Sequence, residues 1–450
     1  MQRGVAGMPT AWVARWTQGS GGPVIALGSD IDGIPKASQT PGVAYRKPMI
    51  DGAPGHGEGH NSGQAVNIIA ALAVKDLMQR EKINGTLVLW PGVAEELLAG
   101  KAYMVRAGMF AGVDAVIFTH VGDNLGTAYG PGSGTGLVSV EYTFTGESAH
   151  AGVNPWRGKS ALDAVELMNQ GWNMRREHLR LSQRSHYVIP DGGDQPNVVP
   201  STARVWYYFR ETDFENIRLN FEIGNRISEA AAMMTDTTVT RRVLGYAAPQ
   251  MFNRPMAEAA GANIALVGLP TWTADEQAFA KAVQRLAGGA ETGLSTTLRG
   301  VTPPQPAPTN GGSDDIGDVS WAVPTISINY PSNIPNLPGH NWVNAIAMAT
   351  PVAHKGVIAG AKVVAMTSLD MLLDRSLLDR AKADFAEQGR RQKYEPLLRP
   401  EDRPKIEMNG DVMARYRPEL RKFYYDASRY PTYLDQLGIK FPELAPTAAR

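Results

Sequence analysis

Cysteine is absent from all 450 residues. That absence excludes a disulfide framework, a thiolate metal site and a cysteine nucleophile. Net charge is absent too: 44 Lys and Arg balance 44 Asp and Glu, so no global field draws in nucleic acid or an anionic membrane surface. A small-molecule substrate is the expectation. No stretch reads as the ~20 apolar residues of a membrane span, and the amino terminus, Met1-Gln2-Arg3-Gly4-Val5-Ala6, has no long apolar targeting core. These absences point to a soluble, cytoplasmic protein. What the chain does have is length and 43% hydrophobic content, which at about 150 residues per domain predicts two or three domains.

The pattern along the chain divides it. Pro23 to Gly28 is a short apolar run bounded by Pro and Gly, the signature of a strand buried on both faces, and it feeds into Asp30-Ile31-Asp32. From Ser62 to Arg80, Val66, Ile69, Ala70, Ala73 and Leu77 fall at helical spacing. Strand, helix and strand alternate as far as His120, which predicts a mostly parallel sheet. Beyond Gly130-Pro131-Gly132-Ser133-Gly134 the character changes. Val138, Val140, Tyr142 and Phe144 alternate with Ser139, Glu141, Thr143 and Thr145, as in an antiparallel strand with one wet face. Further elements of this smaller unit are helices from Ser160 to Trp172 and from Phe214 to Met234, and strands from Ala203 to Arg210 and from Thr237 to Leu244. A capping box at Thr273-Ala274-Asp275-Glu276 opens a helix to Leu286, and a buried strand returns at Val323 to Tyr330. The first domain is thus interrupted by the second. After about Asp370 the chain is charged and aromatic and reads as an extension packed on the surface.

Four polar groups follow buried-strand signatures. Gly55-His56-Gly57-Glu58-Gly59-His60-Asn61 offers carboxylate and imidazole on a pliant backbone; Glu95-Glu96 comes soon after Thr86 to Trp90; His120 ends Ala115 to Thr119; and Gly339-His340-Asn341 lies a short loop beyond Thr325 to Asn329. Each has a plain reading by itself: a turn, a solvated face, a core histidine, a loop residue. Together they suggest a metal site, because groups at the carboxyl ends of several strands converge in an open α/β sheet. Glu58 and His60 suit Zn²⁺ or Mn²⁺.

Gly28 to Pro35, Gly55 to Asn61, Ala94-Glu95-Glu96, Ser148-Ala149-His150-Ala151 and Ser313 to Trp321 resemble the aminoacylase and carboxypeptidase superfamily of metallopeptidases. Within it, the resemblance is to the amidohydrolase branch that contains the aminobenzoyl-glutamate hydrolases, and it covers roughly Gly4 to Asp370. It implies an α/β fold: a metal-binding domain with a mixed, mostly parallel sheet, interrupted by a ferredoxin-like α+β satellite that dimerises. The corresponding boundaries are 1–130 with 246–370 for the catalytic domain, 131–245 for the satellite and 371–450 for the extension. The family has a helix and strand ahead of the segment matching Gly4 to Ala14, so by this comparison the amino-terminal part of the catalytic domain is missing.

By the same resemblance, Glu58, His60, Glu96, His120 and His340 are the metal ligands, for one or two Mn²⁺ or Zn²⁺ ions, and Glu95 is the general base. His150 resembles the satellite histidine that reaches a partner's active site in a homodimer, Asn197 and Arg210 resemble substrate-orienting residues, and Asp30 and Asp32 resemble the aspartates behind the metal. Asp314 and Asp318 form a second acidic loop of unassigned role. Glu58 departs from the pattern, since this branch usually has Cys there; the carboxylate makes the site harder and shifts expectation toward Mn²⁺ or a different metal count. The implied function is metal-dependent hydrolysis of an amide C–N bond in an N-acyl or N-aroyl amino acid. Two rivals are deamination of an activated aminobenzoate such as a nitroanthranilate, by related metal chemistry, and non-catalytic binding on a peptidase scaffold.

Overall fold

A computed structural model describes residues 1–97, 100–305 and 311–445. Its larger sheet has eight strands. The centre is parallel, in the spatial order Gly85–Gly92, Val24–Asp30, Ala115–Gly122, Thr325–Pro331. Ile25, Ala26, Leu27, Val116 and Ile117 are fully buried, and unbroken apolar runs of this kind are what a strand covered on both faces requires. The edges are mixed. Trp12–Gln18 runs antiparallel to Gly85–Gly92 on one side, and Gly126–Ala128 runs antiparallel to Thr325–Pro331 on the other.

The helix expected from Ser62 spans Gly63–Glu81 and sets Val66, Ala70, Val74 and Met78 against the sheet. It packs on Pro351–Leu373, which corrects one expectation. That helix, at 23 residues, is long and apolar enough to cross a membrane, although no such stretch was expected from the sequence. Its apolar length has a different cause: Val352, Val363, Val364 and Met371 are buried in the protein core.

In the sequence, between the strands of this sheet up to Ala128 and its last two, comes a separate four-stranded antiparallel sheet. In chain order its strands are Gly136–Thr145, Arg184–Asp191, Thr202–Glu211 and Thr238–Ala247, and in space they run fourth, first, third, second. Helices Ala161–Arg175 and Phe214–Thr235 complete a ferredoxin-like βαββαβ unit. Its first and last strands pair with each other, Leu137 opposite Ala247. Val138, Val140, Tyr142 and Phe144 are fully buried as their alternation predicts. The wet face is not wet along its length, however. Ser139 and Glu141 are buried, because Trp206 Nε1 donates to Ser139 Oγ at 2.8 Å and Lys405 of the carboxy-terminal extension holds both Glu141 carboxylate oxygens at 2.8 Å.

The extension does more than lie on the surface. After the helix Arg375–Arg391 it crosses the satellite, where Arg218 pairs with Glu395 at 2.5 Å and Arg242 with Glu407 at 2.9 Å. It then returns to the larger domain through Tyr433–Leu437 and buries Leu434 and Ile439.

Candidate active site

The carboxyl ends of the parallel strands carry the predicted ligands to one place. Glu58 is at its centre: Oε2 lies 3.6 Å from His60 Nε2 and 3.3 Å from His340 Nε2, and Oε1 lies 3.5 Å from His120 Nε2. His340 Nε2 is also 3.3 Å from Glu96 Oε2. All five ligand candidates therefore converge. Groups behind them set their aim. Asp32 Oδ1 stands 3.5 Å from His60 Nδ1, while Asp32 Oδ2 accepts the Glu96 backbone N–H at 3.0 Å. His120 Nδ1 is 2.9 Å from the Val121 carbonyl, a contact that orients the ring with Nε2 toward Glu58.

Backbone conformation enforces this arrangement. His340 has φ 49° and Ala94, immediately before the glutamate pair, has φ 58°; left-handed conformations in non-glycine residues persist where surrounding structure over-determines them, as at functional sites. Gly59, between Glu58 and His60, has φ 117°, and a Cβ there would meet Met348 Sδ at 2.9 Å. The two ligand loops also bond each other: Asn341 N–H donates to the Gly57 carbonyl at 3.3 Å, and Asn333 Nδ2 donates to the Glu58 carbonyl at 2.9 Å.

The donor set fits a divalent cation. Ligand atoms about 2.0–2.1 Å from one ion stand about 3–3.5 Å from each other, close to the spacings here. His60 Nε2 and Glu96 Oε1 are buried without a hydrogen-bond partner, and such orphans call for an explanation. A shared cation supplies one.

Electrostatics separate the two adjacent glutamates. Burial and the neighbouring Glu58 carboxylate push Glu96 up to about 8. Glu95 is pushed well above the usual carboxyl range, first by burial and then by Asp314 and Asp30. Burial would raise Glu58, but His340 beside it and the charges of His120 and His60 hold it well below its usual value. Burial would likewise depress His60, yet Asp32 against its Nδ1 and the other carboxylates around it raise it to about 10.

Behind Glu95 lies a group that no sequence pattern pointed to. Lys101 is fully buried, with its ammonium 2.6 Å from Asp30, 3.4 Å from Asp314 and in contact with Asp315. Burial would lower its pKa, but these three aspartates raise it well above the ordinary lysine value. Asp30 thus serves as a counter-ion rather than only as a backing group for the ligands, and Asp314 acquires a position beside Glu95. Asp318, by contrast, points away: it accepts from Ala248 N–H at 3.0 Å and from Tyr394 Oη at 2.6 Å.

A cleft of about 570 Å³ opens over the cluster, lined by Glu58, Glu95, Glu96, His120 and His340 and, across from them, by Arg210, Gln250, Phe252 and Arg299. Arg210 donates to Ser313 Oγ at 3.1 Å and sits over the Tyr208 ring, with its Nε buried and unpartnered. His150 and Asn197 are not in the cleft lining. Both are exposed on the satellite, where His150 pairs with Val198 in an isolated bridge and Asn197 accepts from Gln195 at 2.6 Å. Around them Val153 (58%), Trp156 (76%) and Val198 (37%) present apolar surface to solvent.

Comparison with known proteins agrees with this architecture. The family described as "Peptidase dimerisation domain" matches residues 134–222, within the ferredoxin-like unit. The chain is 32% identical over 424 residues to one of the p-aminobenzoyl-glutamate hydrolase polypeptides of Escherichia coli, covering 87% of this chain and 86% of that one. Among solved structures, an aminobenzoyl-glutamate utilization protein from Klebsiella pneumoniae superposes with a TM-score of 0.51 at 20% identity, covering 78% of this chain and 73% of its own. A Bacillus subtilis protein described as a dinuclear metal binding peptidase from the M20 family superposes with a TM-score of 0.50 at 17% identity, covering 81% and 85%.

Proposed function

Since the chain belongs to the M20 peptidase family and is a hydrolase of that class, we propose that it is a metal-dependent amidohydrolase cleaving the amide bond of an N-acyl or N-aroyl amino acid. The carrying observation is the convergence of Glu58, His60, Glu96, His120 and His340, with Glu95 beside them at the head of an arginine-bearing cleft. When bound, a divalent ion there lowers the pKa of a water from 15.7 toward about 7 and polarises the scissile carbonyl. Glu95 takes the proton of the attacking water and returns it to the leaving nitrogen, so that water is added across the C–N bond. Arg210 offers its fork to the substrate carboxylate. The cleft is walled on one side by Phe252 and Tyr129, which suits an aromatic acyl group.

The direct test is elemental analysis of the purified protein, followed by amine- and ammonia-release assays on aminobenzoyl-glutamate, simple acyl amino acids and nitroanthranilates. Amine release from the acyl amino acids supports amide hydrolysis. Ammonia release from a nitroanthranilate alone would replace it with the deaminase reading, and no release from any would favour a binding protein.

We also propose that each site is completed across a homodimer by the partner's copy of His150. The exposed apolar surface around His150 and the edge strand Arg184–Asp191, paired on one side only and with Val188 and Ile189 exposed, support this. In that role His150 donates to the developing oxyanion, where loss of one donor costs about 10²–10³ in rate. Mixing tests it. Glu95→Ala and His150→Ala are each weak alone, but their mixed dimer contains one site with both groups intact. The expected result is recovery of up to about half the wild-type activity per mixed dimer, and demonstrably mixed dimers with no recovery would exclude sharing.

A further inference from the structure

Residues 433–443 lie far from the ligands in sequence but under both of their loops. Glu443 N–H donates to the Gly42 carbonyl at 3.1 Å, and its own carbonyl accepts from Ala44 N–H at 2.8 Å. The Tyr45 hydroxyl meets the Glu443 carboxylate. Leu434 and Ile439 close an apolar cluster on Val43. Phe441 packs on Phe279 with ring centroids 4.8 Å apart, in a cluster that contains Ala44 and Ile346.

The two anchor points have something in common. Residues 42–45 belong to the connection between Asp32 and the ligand loop at 55–61, a connection tied to that loop by paired Ile34 and Gly55 bonds at 3.0 and 3.1 Å. Ile346 ends the helical turn Trp342–Ile346 that begins two residues after His340. Gly42 N–H donates to the Ile346 carbonyl at 2.9 Å, so these supports are also fastened to each other. The segment therefore touches the scaffolds of Glu58, His60 and His340 and none of their ligand atoms.

We infer that residues 433–443 form a positioning element of the metal site, holding the two ligand loops in register. The inference rests on the metal-dependent reading above. Outer-layer groups that orient metal ligands contribute about 10–100-fold to metal affinity, and a support one layer further out belongs at the low end of that range.

The test is Co²⁺ binding to the full-length protein, by chelator competition and by the visible absorption spectrum. Phe441→Ala should weaken Co²⁺ binding about tenfold and alter the spectrum, and Phe441→Leu, which keeps most of the packing, should restore both. Leu378→Ala serves as the control. Leu378 is buried in a different apolar cluster, so its truncation should lower the melting temperature comparably and leave Co²⁺ affinity and spectrum unchanged. Phe441→Ala binding Co²⁺ as tightly as Leu378→Ala, with an unaltered spectrum, overturns the inference. Should Phe441→Ala fail to fold, Tyr45→Phe, which removes only the hydroxyl contact to Glu443, should weaken binding several-fold, and unchanged affinity there overturns it equally. Wild-type protein that binds no Co²⁺ at all instead rejects the metal-dependent reading itself.

Discussion

Exhaustive chelation should abolish hydrolysis, and added Mn²⁺ or Zn²⁺ should restore it. The chain has no cysteine, and the cleft gathers the carboxylates Glu58, Glu95 and Glu96 with the imidazoles His120 and His340. On the proposed mechanism the attacking group is water, whose activation would depend on the ion. Removal should also be felt by the protein, because Glu58, Glu95, Glu96, Asp32 and Asp30 crowd one region, and the buried Lys101 pairs with Asp30 alone among them. His60→Ala should reduce metal occupancy as well as activity, since water replaces an imidazole lone pair poorly. Full turnover by protein whose elemental analysis shows no metal would end the proposal.

Glu95→Gln should leave the metal bound while lowering turnover by about 10²–10⁴, the range for a general acid–base group. Glu96→Gln should instead release metal. The difference follows from where the two neighbours point. Glu96 Oε2 is 3.3 Å from His340 Nε2, among the ligands. Glu95 lies close to the ligands on one side and to Asp314 and Asp315 on the other, beside the site rather than among the His340 contacts. Metal content and rate measured on both variants decide the matter, and the opposite pattern would exchange the two roles.

Much of this site was legible because its parts sit where strand ends must converge. Glu96, His120 and His340 follow buried runs, and alternation of strand and helix places those ends along one edge; Glu58 and His60 arrive instead by a long connection from Val24–Asp30, directly ahead of the helix Gly63–Glu81. Local signals were equally direct in the helix opened by Thr273, whose hydroxyl and Glu276 form the expected capping box. Lys101 was not legible. A lysine early in a helix ordinarily reads as solvated, and its partner Asp315 is 214 residues away. Glu141 failed for a related reason: alternation reports the covering a strand receives from its own unit, and here Lys405, 264 residues away, covers Glu141, while Ser139 is covered by Trp206 of the neighbouring strand. Membrane-like length in Pro351–Leu373 arises from burial on several sides, which periodicity does not distinguish from a lipid-facing helix.

The pairing of Leu137 with Ala247 has a consequence for how such a molecule can vary. The ferredoxin-like unit leaves the larger sheet and re-enters it at neighbouring positions, as though on a two-stranded stalk. Closely spaced ends are the condition under which a whole unit can be inserted or exchanged. Ala115–Gly122 and Thr325–Pro331 then meet in the same register whatever hangs on that stalk. Recognition and assembly surfaces, Arg210 and His150 among them, can be rewritten there in evolution, or by grafting, while Glu58, His60, Glu95, Glu96, His120 and His340 stay with the larger sheet.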